Sequence, residues 1–105
     1  MNSSDMEVTI NNNGDKTNVT IDGRIDNVTV EAFQQSMNTL IEGNQQDIEI
    51  DCSALSYTSS QGLRIFLILQ KSVTKRGGKL VLSNMNAQVK EVFDITGFSN
   101  IIKIV

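Results

Sequence analysis

A strand, a helix and a second strand follow one another between residues 47 and 83, and this order is what most constrains the fold. "DIEIDCS" alternates acidic and apolar residues as a half-buried strand does, and "KLVLS" is a short apolar run typical of a central strand. Between them, "GLRIFLILQKSVTKRGGK" is predicted to form a helix that ends at Gly77-Gly78. Strands joined in this way are expected to lie parallel, with a right-handed crossover. The sequence therefore predicts an α/β fold whose sheet contains this βαβ unit.

The helix of this unit is apolar on more than one side, which predicts that more than one of its faces is covered. The main stripe is predicted to consist of Leu63, Phe66, Leu67 and Val73, widened by Ile65, Ile68 and Leu69. At its end, the basic segment 75–79 has two interpretations, a solvated helix terminus or an anion site, and we favour the first.

The segment before this unit predicts a β-hairpin and a helix. "MEVTI" and "NVTID" alternate like half-buried strands, and Asn13-Gly14 between them is typical of a type I′ turn. "DNVTVEAFQQSMNTLIEGN" then has helical spacing, with Asp26, Asn27 or Thr29 as the N-cap.

After the βαβ unit, "NMNAQVKEVFDITGF" predicts a short helix that ends before Gly97, and "IIKIV" predicts an edge strand. The predicted fold is a single α/β domain over residues 1–105, in which an N-terminal β-hairpin precedes βαβ. Its mixed sheet is predicted to have four to five strands, with the helices packed mainly on one side.

Composition argues against catalysis and against several kinds of ligand. The 105 residues include no histidine and a single cysteine, Cys52, so His-based catalysis, a cysteine zinc cluster and an internal disulfide are excluded. Neither common phosphate-binding loop motif occurs, and the net charge of -3 disfavours nucleic acid. We therefore expect a protein that is not an enzyme and has no metal and no cofactor.

The N-terminal segment has no basic start and no apolar core of a signal peptide. No stretch reaches the roughly 20 apolar residues that a membrane-spanning helix needs. The expected location is the cytoplasm, without membrane insertion.

Three hydroxyl residues stand where the strand "DIEIDCS" passes into the following helix, in "YTSSQGLR". One interpretation is a capping box, in which the Thr58 hydroxyl accepts a helix N–H and Gln61 reaches back. The other is a modification site, because a phosphate is best tolerated in the first turn of a helix. One cap needs only one hydroxyl, which leaves Ser59 and Ser60 without a structural task. The local residues favour neither interpretation.

The segment "DCSALSYTSSQGLRIFL" resembles the signature of STAS domains, in particular of bacterial anti-sigma factor antagonists. The signature positions are Asp51, Ser53, Tyr57, Ser59, Ser60, Gly62 and Leu63, with Arg64 also in keeping. "VTIDGRIDNVTVEAF" is similar to the family's second strand, turn and first helix, and "RGGKLVLSNMNAQVKEVFDITGF" to its last βα unit. The resemblance thus covers nearly the whole chain.

The resemblance implies partner switching in the cytoplasm. An unphosphorylated antagonist binds an anti-sigma factor that is also a serine kinase, phosphorylation releases it, and a serine phosphatase resets it. Carried over to this chain, the phosphoacceptor is Ser60, with Ser59 as the alternative. The implied partner-binding residues are Asp26, Thr58, Ser59, Ser60, Gln61, Gly62 and Arg64. A rival function is a STAS structural subunit of a transporter or another complex, in which the serines are only cap and contact.

Overall fold

The computed structural model describes residues 6–105, which form six strands, three α-helices and one short 3-10 helix. In chain order these are β1 (Met6–Asn13), β2 (Lys16–Ile25), α1 (Val30–Ile41), β3 (Asp47–Asp51), β4 (Leu55–Thr58), α2 (Ser60–Lys75), β5 (Lys79–Ser83), α3 (Ala87–Ile95), the 3-10 helix (Phe98–Asn100) and β6 (Lys103–Ile104). None of the helices within residues 6–105 is long and apolar enough to cross a membrane.

All six strands belong to one mixed sheet, in the order β1-β2-β3-β5-β6, with β4 also paired to β2. The β1–β2 pair is antiparallel and every other pair is parallel. The parallel β3–β5 pair joined through α2 confirms the predicted βαβ unit. The sheet has six strands and not the four to five predicted. The strand that was not predicted is β4, which pairs with the end of β2, beyond the part of β2 that pairs with β3.

The N-terminal hairpin is confirmed, but its turn lies one residue later than predicted. Asn13 pairs with Lys16, so the two loop residues are Gly14 and Asp15. Gly14 has a φ of +66°, whereas Asp15 is not among the residues with positive φ. A positive φ at the first loop position alone is the pattern of a type II′ turn, which a glycine at that position allows.

The helices cover one face of the sheet, as predicted. Alternate residues of the strands, such as Ile21, Ile50 and Leu82, are fully buried, and on β2 and β3 the residues beside Ile21 and Ile50 are polar and face the other side. Each helix places one phenylalanine in this core. The ring of Phe66 on α2 lies 5.2 Å from that of Phe33 on α1 and 5.6 Å from that of Phe93 on α3. These contacts fix α2 between its two neighbours.

The buried stripe of α2 differs from the predicted one. Its buried apolar side chains are Leu63, Ile65, Phe66, Leu69 and Val73, whereas Leu67 is half-buried. Ile68 remains 40% exposed, but α2 contacts both α1 and the sheet, so more than one of its faces is covered, as predicted. Ile65 and Leu69 take the place of Leu67 because the buried side of α2 faces both α1 and the sheet.

Arg76, directly after α2, does not form the expected solvated helix end. Its guanidinium donates from Nε to the carbonyl of Gln45 at 2.7 Å, and its two terminal nitrogens donate to Leu40 at 2.9 Å and Ile41 at 3.2 Å. Leu40 and Ile41 end α1, and their carbonyls have no acceptor role within that helix. Arg76 therefore binds α1 and the loop after it to the end of α2, with three of its five N–H donors held by backbone carbonyls.

Candidate functional site

The candidate site lies at the end of the sheet where β2 and β4 finish and α2 begins. Thr58 pairs in parallel register with Ile25, the last residue of β2. The next residue, Ser59, donates its backbone N–H to the Ile25 carbonyl at 2.9 Å. Both strands thus end at the start of α2. Asp26 directly follows Ile25, whose carbonyl accepts the Ser59 N–H. This is the edge at which α/β proteins commonly place functional residues.

The helix cap is Ser59, so the predicted capping box of Thr58 and Gln61 is wrong. The Ser59 hydroxyl accepts the backbone N–H of Gly62 at 3.2 Å from an extended backbone conformation. Thr58 is still part of β4, is only 4% exposed, and donates its hydroxyl to the Ser59 carbonyl at 3.2 Å. Gln61 is exposed, and its side chain forms no hydrogen bond with any residue of the described part of the chain.

Ser60 is the first residue of α2 and is exposed. Within residues 6–105 its hydroxyl has no hydrogen-bonding partner, and the backbone N–H groups of Ser60 and Gln61 have no acceptor. Such N–H groups at a helix start favour a negative charge nearby. Of the two adjacent serines, Ser59 has a structural role and Ser60 has none.

Gly62 is buried, and the atoms that leave no room for a larger side chain there belong to Thr58 and Ile25 of the same domain. A Cβ atom at this position would lie 2.3 Å from the Thr58 hydroxyl oxygen and 2.8 Å from Cγ2 of Ile25. Both distances are shorter than van der Waals contact. The glycine therefore allows the first turn of α2 to pack directly on the ends of β2 and β4.

Replacing Gly62 with alanine should destabilise the protein, although alanine is the better helix former. The expected loss is about 1–2 kcal/mol, since overpacking outweighs the helix propensity gained. Urea unfolding measures it, and adding Thr58→Ala should restore part of the loss by removing the closest atom. A Gly62→Ala variant more stable than the original would contradict the packing described here.

Asp26 anchors the turn beside this helix start. Its Oδ1 accepts the backbone N–H groups of Val28 at 3.0 Å and Thr29 at 3.1 Å, and these bonds, that of Thr29 first, lower the pKa of the Asp26 carboxyl. Its Oδ2 lies 3.4 Å from Nε of Arg24, whose guanidinium carbon is 4.6 Å from the centre of the Tyr57 ring. The site therefore contains a carboxylate that stays ionised at neutral pH.

Sequence reasoning missed the contact between Arg24 and Tyr57. The two residues are partners in the β2–β4 register, so recognition of β4 as a strand would have placed them together. Tyr57 is 41% exposed, and tyrosine and arginine are among the residue types that contribute most to binding at protein interfaces.

The structure brings four predicted site residues to one exposed surface and places two others beneath it. Ser60, Gln61 and Arg64 are exposed and Ser59 is half-buried. Gln61 and Arg64 also line an open groove between α1 and α2, together with Val30, Glu31, Gln34, Ile65 and Ile68. Asp26 is half-buried at the adjacent turn, while Thr58 and Gly62 are buried and support the surface from below. No group of metal-binding side chains occurs in residues 6–105.

Comparison with known proteins agrees with this architecture. The family model of the STAS domain matches residues 6–105. The chain is 33% identical over 99 residues to an anti-sigma-B factor antagonist of Bacillus subtilis, an alignment that covers 94% of this chain and 90% of that protein.

Two solved structures share the fold at lower sequence identity. An anti-sigma factor antagonist from Mycobacterium paratuberculosis superposes with a TM-score of 0.85 at 20% identity and covers 99% of this chain and 89% of its own. The phosphorylated form of the Bacillus cell fate determinant SpoIIAA superposes with a TM-score of 0.71 at 18% identity. The superposition covers 94% of this chain and 91% of the SpoIIAA chain.

Proposed function

The chain belongs to the STAS domain family, and from this membership we propose that it is a cytoplasmic anti-sigma factor antagonist that acts by partner switching. Unphosphorylated, it binds an anti-sigma factor that is also a serine kinase. Phosphorylation of Ser60 releases it, and a serine phosphatase restores the binding form. The observation that carries the proposal is the division of roles between two adjacent serines, in which Ser59 caps α2 and the exposed Ser60 hydroxyl is unbonded.

Accessibility and hydrogen bonding both support Ser60 as the phosphoacceptor over Ser59. A kinase must reach the hydroxyl, and Ser60 is exposed whereas Ser59 is half-buried. Phosphorylation of Ser59 would also replace the hydroxyl that accepts the Gly62 N–H. Modification of Ser60 leaves that cap in place and puts the phosphate at the positive end of the helix dipole.

The phosphate is expected to act on the partner and not on the fold. It adds roughly -1.5 to -2 charges at one exposed position beside the ionised Asp26, so the surface becomes strongly negative where it was nearly balanced. A partner in close contact with that surface meets both the added bulk and the added charge. The proposed contact residues are Asp26, Ser59, Ser60, Gln61 and Arg64, with Thr58 and Gly62 positioning them.

Replacing Ser60 with aspartate should weaken binding to the kinase-type anti-sigma factor of the same organism at least tenfold, or about 1.4 kcal/mol. The carboxylate mimics part of the phosphate charge at the proposed centre of the interface. Isothermal titration calorimetry with the purified partner measures the change.

Gln88→Asp is the matched control, because it adds the same charge to the first turn of another helix, α3, at an exposed residue. This variant should bind like the original protein. Equal affinities of the Ser60→Asp and Gln88→Asp proteins would contradict partner switching through Ser60 and favour the structural-subunit function.

A further inference from the structure

Arg64 lies one helical turn beyond Ser60 on the exposed side of α2. Residues four positions apart in a helix are neighbours, with Cβ atoms about 5–6 Å from each other. Helical side chains also lean toward the N-terminus, so a side chain at position 64 can reach back over the turn that contains Ser60. The two side chains can therefore meet without any movement of the backbone.

The donors of Arg64 are not in use. Within residues 6–105, its guanidinium forms no hydrogen bond and no ion pair. Two other arginines differ in this respect: Arg76 donates to three backbone carbonyls, and Arg24 lies between Asp26 and the Tyr57 ring. Arg24 is thus already held by a carboxylate and an aromatic ring, whereas Arg64 is held by no other side chain of residues 6–105.

We propose that the phosphate on Ser60 is bound by Arg64 of the same helix, which removes Arg64 from the surface that contacts the anti-sigma factor. This inference rests on the proposed function. Phosphorylation then acts twice, because it adds negative charge at the start of α2 and occupies a cation of the partner surface. The planar guanidinium matches two phosphate oxygens at once, which a single carboxylate at position 60 reproduces only in part.

The charges around the phosphate make its ionisation a direct measure of this contact. Asp26 and Glu31 carry carboxylates on this side of the molecule, and Arg24 and Arg64 carry the positive charges. Carboxylates disfavour the phosphate dianion and raise its second pKa, whereas a bound guanidinium favours the dianion and lowers it. Loss of the arginine that binds the phosphate must therefore raise that pKa.

The test uses full-length protein in which phosphoserine is encoded genetically at position 60, so that no kinase is needed. Phosphorus NMR titrations between pH 4 and pH 8 compare the original sequence with Arg64→Gln, Arg24→Gln and Lys71→Gln. The phosphate pKa should rise by roughly half a unit in Arg64→Gln, rise by less in Arg24→Gln, and stay unchanged in Lys71→Gln. This difference should shrink at 1 M salt, where the screening length is only about 3 Å.

Lys71 is the control for the general loss of a positive charge, since it is exposed on α2 two turns beyond Arg64. An unchanged pKa in Arg64→Gln would overturn the proposal, and a larger rise in Arg24→Gln would assign the phosphate to Arg24 instead. Circular dichroism of each variant shows that the fold is retained. Neither result depends on a partner, so a failure here leaves partner switching standing, and a failure of the Ser60→Asp binding test does not affect these pKa values.

Discussion

Replacing Ser60 with alanine should abolish phosphate incorporation from the cognate kinase, whereas Ser59→Ala should still take up one phosphate. The reason is geometric: the Ser60 hydroxyl is exposed and unbonded in the described part of the chain, while the Ser59 hydroxyl accepts the Gly62 N–H at 3.2 Å. Intact-mass measurement after incubation with kinase and ATP detects the gain of about 80 Da per phosphate.

The two variants should also differ in stability: Ser59→Ala, which keeps the phosphate, should be the less stable of the two. Loss of the Ser59 cap is expected to cost about 1 kcal/mol in the free energy of unfolding. Ser60→Ala should be nearly neutral, since alanine suits the first turn and no hydrogen bond is lost. A phosphate that remains on Ser60→Ala and disappears from Ser59→Ala would assign the acceptor to Ser59, the residue that caps α2.

The elements with the clearest hydrophobic periodicity were the ones that the sequence predicted correctly. The β-hairpin, the three helices and the parallel pair around α2 all follow from spacing and from glycine positions. The strand β4 did not, because "LSYT" has only four residues and a bulge between Gly23 and Arg24 shifts its register with β2. Burial in β4 thus lacks the strict alternation by which a strand is recognised.

The missing strand also explains the wrong cap. Without β4, Thr58 is the first hydroxyl before the helix and fits a capping box with Gln61. With β4 in place, Thr58 is held in strand geometry by its pairing with Ile25, and the first residue free to cap is Ser59. The error is one residue, yet it decides which serine is left for modification.

Contacts between residues far apart in the sequence could not be predicted from local sequence patterns. From the sequence, Arg76 is one of two cations at a helix terminus. No residue near it predicts a contact with the end of α1, which lies more than 30 residues earlier. Its role appears only once α1 and α2 are placed side by side. Polar side chains that join two elements are fixed by that geometry and not by propensity.

Replacing Arg76 with glutamine should lower the free energy of unfolding by about 2–3 kcal/mol. The change removes the donors for three carbonyls, two of which end α1, in a half-buried location where burial lowers the pKa of Arg76. Urea unfolding followed by circular dichroism measures the loss. Arg76→Lys should recover only part of it, because a single ammonium cannot reproduce the planar fork that spans three acceptors.

Lys75→Gln is the matched control, since it removes the neighbouring positive charge from the last turn of α2 at an exposed residue. Its effect should stay below about 0.5 kcal/mol. The Arg76 effect should also persist at 1 M salt, because hydrogen bonds to neutral carbonyls depend little on ionic screening. If the two variants lost similar stability, and if salt removed both losses, Arg76 would act through the helix dipole, and the link between α1 and α2 would rest on their apolar contacts alone.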